Sequence, residues 1–257
     1  MLADGRFPAG GHAHSGGLEA AVAAGRVSDP DTLEAFLRGR VATSGAMAAA
    51  FAAAACSAFD GVPPKTDRED REDREDREDR EDREDRGDWR DWRDWRDWED
   101  GKDRITALDT EFEARTPAPA LRATSRKLGR QLLRAARAVG SHPGLDALAT
   151  ALPGGPHQPV ALGATARALG LTPHAAAAAA LHDAATGPAT AAVRLLGLDP
   201  FAVHAVLARL APELDRLAAW AAGRADVPAG ELPAYGAPLL DISAELHATW
   251  EVRLFAS

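Results

Sequence analysis

The chain has a single cysteine, Cys56, one tyrosine and two methionines among 257 residues, and aromatics make up only 5% of it. One cysteine excludes an internal disulfide and fits a reducing compartment. So few aromatics leave alanine, leucine and valine to build any core, and alanine is the best helix former and poor in strands. No stretch alternates apolar and polar residues long enough to argue for a strand. A phosphate-cradling G-x-x-x-x-G-K-S/T loop is also missing: Gly10 to Gly17 lacks the lysine, and Gly101-Lys102 is followed by Asp103. The chain is therefore not expected to be a GTPase itself. Met1 is followed by Asp4, Arg6 and glycines instead of an apolar run, which is no secretory signal, so a cytoplasmic location is expected.

Charge is distributed unevenly. From Asp67 to Asp100 the chain repeats R-E-D and then D-W-R, with 19 acids against 10 arginines. That excess equals the net charge of −9 for the whole chain, so the remainder is balanced and offers no basic nucleic-acid footprint. A three-residue repeat drifts around a 3.6-residue helix and builds no lasting apolar face. Residues 61–103 are read as a low-complexity insert, a solvated loop or marginal helix, within one domain spanning 1–257. Its four tryptophans, Trp89, Trp92, Trp95 and Trp98, allow a sticky recognition segment, but a tolerated tandem duplication is the favoured reading.

Outside the insert, helices dominate. Asp29-Pro30, Thr172-Pro173 and Asp199-Pro200 each pair a capping residue with a first-turn proline. The runs that follow the last two are expected to end near Gly187 and Gly223. Ile105, Leu108 and Phe112 mark one face of a short helix stopping near Thr116-Pro117, and Leu121, Leu128, Leu132 and Val139 mark a longer one ending at Gly140. Val41 to Phe59 carries no charge over nineteen residues, enough to span a bilayer. It is mostly small residues, however, and a buried core helix is the expectation, with no membrane partner. The fold class expected is all-α, a single-domain bundle of about eight to ten helices.

Two places carry unusual chemistry. Between Asp4 and Glu19 lie five glycines, a proline and two histidines, just before an alanine-rich helical pattern. Ser15 sits in A-H-S-G-G, which mimics a nucleophile elbow, but no strand precedes it to hold the strained turn; capping the helix near Leu18 is its expected role. His12 and His14 form H-x-H, able to present two imidazoles to nickel or zinc, yet no cysteine or carboxylate cluster stands nearby in sequence. Loop shaping is preferred for them, with transient nickel contact left open. At the other end, Glu245 and His247 lie in a helical pattern followed by Trp250, Val252, Arg253, Leu254 and Phe255. A terminus this apolar should dock on its own body or on a partner.

These segments resemble the UreF-type urease accessory proteins. Asp4, Pro8, Gly10, Gly11, His14, Ser15, Gly17, Leu18 and Glu19 match the opening L-x-D-x-x-x-P-x-G-G-x-x-H-S-x-G-L-E of that family. Ser125 to Arg134 is similar to its S-x-x-x-G-x-x-L-L helix, His157 to Gly163 to its H-x-P-V-x-x-G segment, and Ala192 to Pro200 to its A-x-R-L-x-x-L segment. Glu245-Leu246-His247 and Arg253 to Ser257 resemble its ending, while 61–103 has no counterpart. The resemblance implies an all-α, non-enzymatic adaptor for nickel insertion. Its partners would be a UreD/UreH-type scaffold, a UreG-type GTPase that binds the GTP, and apo-urease subunits, and a homodimer stays open. No cofactor is then expected to bind stably, nickel being handled by the complex. Gly10, Gly11, His14, Ser15, Gly17, Glu19, Glu245, His247, Arg253 and Phe255 are the expected partner-binding residues, and His12 with His14 the candidate transient nickel contact. A metal-dependent hydrolase using His12 and His14, and a helical interaction protein unrelated to urease, are the alternatives from other classes.

Overall fold

The computed structural model describes residues 14–58, 91–140 and 142–255, with the backbone alone over 91–100. Gly10, Gly11 and His12 lie outside the described residues, as do residues 61–90 of the insert. Among the described residues the regular structure is helical: α1 (Leu18–Ala23), α2 (Pro30–Arg40), α3 (Ala46–Ser57), α4 (Asp91–Ala114), α5 (Pro119–Val139), α6 (Pro143–Ala151), α7 (Gln158–Ala168), α8 (Pro173–Leu196), α9 (Pro200–Ala222) and α10 (Pro238–Ala248).

The caps expected from sequence are in place. Asp29 accepts from the Thr32 N–H at 2.8 Å to open α2, Thr172 accepts from Ala175 at 3.2 Å to open α8, and Asp199 accepts from Phe201 at 3.2 Å to open α9. α5 opens on Pro119 and stops at Gly140, the end that the pattern predicts.

Two boundaries differ from expectation. The helix carrying Ile105, Leu108 and Phe112 is not short; it covers 24 described residues, Asp91–Ala114, and reaches into the insert. Those three side chains are buried, and once the docked turns exist each added residue costs little, so the helix extends upstream of its apolar face. The other, α8, passes Gly187 and continues through Pro188 to Leu196, for a reason that lies in the site described below.

The uncharged run is a core helix. Between α2 and α3 the chain makes one π-helical turn, Val41–Gly45, and every α3 residue from Ala49 to Cys56 is fully buried. α3 packs between α7 and α8. Its alanines let the backbones come close enough that a Cβ on Gly163 of α7 would stand 2.2 Å from the Ala52 carbonyl oxygen. Gly129 of α5 is equally constrained, its Cβ position being 2.0 Å from the Pro156 carbonyl oxygen. A second core layer joins Leu18, Val27, Leu33, Leu37, Val203, Val206 and Leu210 to Phe255 near the end of the chain. Among the described residues no helix is long and apolar enough to cross a membrane.

Gly163→Ala should therefore separate α3 from α7 and cost about 2 kcal/mol or more in urea denaturation. Gly140→Ala, with nothing within 4 Å of the new methyl, is the control expected to stay near wild type.

Candidate partner-binding surface

The glycine loop enters the described residues at His14 and turns into α1 through two left-handed residues, Gly16 (φ 60) and Gly17 (φ 90). Side chains are strained at such angles, and they would be crowded as well. A Cβ on Gly16 would lie 3.0 Å from Pro188 Cγ and 3.1 Å from Arg40 Cζ; one on Gly17 would lie 2.9 Å from Leu240 Cδ2. Ser15 Oγ accepts from the Glu19 N–H at 3.3 Å, giving the first turn of α1 the capping acceptor expected of it.

Arg40 compensates the proline that α8 passes through. Pro188 has no N–H for the carbonyl four residues earlier, which is that of Ala184. Arg40 Nε donates to that oxygen at 3.1 Å, and its Nη1 donates to the Gly16 carbonyl at 2.9 Å. One guanidinium thus satisfies the gap in α8 and fixes the loop. Burial pulls its pKa down to about 10, which leaves it charged near neutral pH.

Glu19 gathers the two ends of the chain. Its Oε2 bonds His247 Nε2 at 2.8 Å and accepts from the Phe255 N–H at 3.1 Å, while Oε1 accepts from the Leu254 N–H at 2.9 Å. The carboxylate is 8% exposed and His247 2%, with the Trp250 ring 4.7 Å from the imidazole. Arg26 Nη2 adds a bond to Ser243 Oγ at 3.0 Å. Among the described residues, α1, α10 and the segment to Phe255 are one structural unit.

Of the expected partner-binding residues, His14, Ser15, Glu19, His247 and Phe255 are buried in this junction and Gly17 is half-buried. Glu245 is exposed, accepting from the Ala120 N–H at the start of α5 at 2.7 Å, and Arg253 is exposed on the tail. What faces outward is apolar. Leu239, Ile242 and Leu246 follow helical spacing on α10 and are 64%, 58% and 60% exposed, and the tail adds Val252 at 86% and Leu254 at 73%. Leu239 and Ile242, like Arg40 and Pro188, were not singled out from the sequence. An i, i+3, i+7 row beside the tail was the available signal for the first two, and a proline inside a helical pattern for the others.

A second polar cluster braces the middle of the fold. The buried Asp109 carboxylate accepts from the His157 N–H at 2.7 Å and from Arg126 Nη1 at 2.8 Å. Arg126 also bonds Glu113, holding that carboxyl below its usual range, and Ser125 Oγ accepts from the Gln158 N–H at 3.1 Å. His157 is fully buried, and burial pushes its imidazole below the ordinary 6.5 against the pull of Asp109. His142, whose Nδ1 accepts from the Gly144 N–H at 3.1 Å, is lowered for the same first reason, with Arg167 adding to it. His182 and His204 are exposed. Among the described residues no group of three or more His, Cys, Asp or Glu could hold a metal ion.

Comparison with known proteins decides what this arrangement belongs to. The UreF family model matches residues 27–211. The urease accessory protein UreF of Mycobacterium sp. (strain JLS) is 41% identical over 257 residues, covering all of this chain and 96% of the relative. That of Mycolicibacterium vanbaalenii is 38% identical and that of Mycobacterium tuberculosis (strain ATCC 25618 / H37Rv) 35%, with the same coverage. The chain belongs to the UreF family of urease accessory proteins. Its family-like segments are largely architecture: Gly129 and Gly163 permit close crossings, Ser125 and His157 tie α5 to the start of α7, and Glu19 with His247 joins the ends.

Two outcomes follow. Glu19→Ala, which leaves the Leu254 and Phe255 N–H groups and His247 without their acceptor, should lower stability by about 3 kcal/mol in urea titration. Imidazoles that protonate less readily folded than unfolded stabilise the fold above about pH 6.5 and lose that contribution as pH falls. The urea midpoint should therefore drop between about pH 7.5 and about pH 5.5, and His142→Asn, which keeps a capping acceptor, should make the drop smaller.

Proposed function

We propose that this chain acts as a non-enzymatic adaptor in urease maturation. It bridges a UreD/UreH-type scaffold and a UreG-type GTPase, so that GTP hydrolysis by the latter accompanies nickel insertion into apo-urease in the cytoplasm. Family membership supports the pathway, and one observation supports the adaptor role. The row Leu239, Ile242 and Leu246, with Val252 and Leu254 of the tail, is apolar surface left facing water beside a junction built from both ends of the chain. Exposed apolar groups gathered in this way mark interaction sites more often than scattered ones do. Arg253, exposed among them, supplies a planar fork for a carboxylate or for main-chain carbonyls of the scaffold.

The test is urease activation in cells carrying the full accessory set. Ile242→Asp with Leu246→Asp should lower activation at least tenfold and abolish co-purification with the scaffold, while circular dichroism and the urea midpoint stay near wild type. Arg253→Ala should weaken co-purification in the same direction. Full activation by the double variant would remove this surface from the mechanism.

A further inference from the structure

A cavity of about 540 Å³ lies between the glycine loop, the π-helical turn, α5, α8 and α10. Most of its wall is apolar, with Met47, Leu128, Leu162 and Leu240 among the lining residues. Its size falls within the range of small-molecule sites, about 300–1,000 Å³, which are typically apolar with a few placed polar groups.

The cation at its wall is unusual. Arg40 bonds two main-chain carbonyls, those of Ala184 and Gly16, and among the described residues no carboxylate lies within ion-pair distance of it. Its remaining nitrogen, Nη2, has no acceptor among those residues, and Arg40 keeps part of its surface where it borders the cavity. A guanidinium partly withdrawn from water without a counter-charge is costly to maintain, and an anion in the cavity would relieve that cost.

Two cations bordering the cavity have a nitrogen without an acceptor among the described residues, Arg40 at Nη2 and Arg115 at Nε. The charge of Arg115 is answered by Glu111, whereas Arg40 has no such carboxylate, and Arg194 stands exposed at the rim. Of the carboxylates, Asp183 is exposed with His182 Nδ1 3.9 Å away, and burial raises the Asp241 carboxyl above its ordinary range.

We infer that this cavity is a binding site for a small organic monocarboxylate, its acid group on Arg40 Nη2 and its apolar body against the Met47, Leu128 and Leu240 wall. The inference does not rest on the adaptor role and can fail or stand without it. Such a ligand would bind the folded chain alone and stabilise the contact between the glycine loop and Pro188.

The probes are 3-phenylpropionate and its neutral amide, 3-phenylpropionamide, titrated calorimetrically into the full chain, with thermal unfolding followed in parallel. The acid should bind at least tenfold tighter than the amide and raise the Tm. Arg40→Gln keeps an N–H donor for the Ala184 carbonyl and removes the charge, and should erase the difference between the two probes. Should that variant unfold, Ala48→Leu, which narrows the cavity and leaves Arg40 in place, should weaken acid binding at least tenfold. Equal affinity for acid and amide, no binding of either at millimolar concentration, or competition by inorganic phosphate as strong as by the acid would each overturn the assignment.

Discussion

The Glu19 carboxylate is the constraint on which the junction of α1, α10 and the tail depends. It sits in the first turn of a six-residue helix, where the helix N-terminus favours a negative charge, and it is almost closed to water. Three donors from α10 and the tail converge on it. A buried carboxylate is unfavourable unless its oxygens are filled, so the segment ending at Phe255 must fold back for α1 to be stable where it stands. Phe255 then closes the second core layer, and the exposed row on α10 is held in a fixed relation to Arg253. The exposed apolar row of α10 is thus set in place by the satisfaction of one charge.

The same economy appears around Arg40. A proline in the middle of α8 would ordinarily end or kink the helix. The Ala184 carbonyl it frees is taken up by a side chain from the turn where α2 passes into its π-helical segment, and that side chain also holds the Gly16 carbonyl. Gly16 favours glycine because its backbone is left-handed and proline and arginine leave a Cβ little room. The glycine loop, the π-helical turn and the proline of α8 are one mutually dependent arrangement, and the cavity is the space they leave.

Much of the fold was legible in the sequence. The Asp29-Pro30, Thr172-Pro173 and Asp199-Pro200 signatures mark true helix starts, and the uncharged run after Arg40 is a core helix, because caps and composition are local properties that tertiary contacts here reinforce. Local reasoning failed where a distant group supplied what the segment lacked. Where α8 crosses Gly187-Pro188, Arg40, 144 positions before Ala184, serves the carbonyl that the proline leaves open. α4 reaches into the charged repeat because the apolar face that docks it lies downstream. For the site, the sequence pointed to both ends of the chain, and Ser15, Glu19 and His247 do meet there; what no spacing could tell is that they face inward, while Leu239, Ile242 and Leu246 face out.

Native-state amide hydrogen exchange at Leu254 and Phe255 in the intact chain tests the junction most directly. If Glu19 holds the tail, these two N–H groups exchange as slowly as the buried turn of α10 around His247, although they lie at the very end of the chain. Exchange at the rate of an unstructured peptide would show that the tail is not held, and the joined ends could not then be the platform on which a partner is recognised.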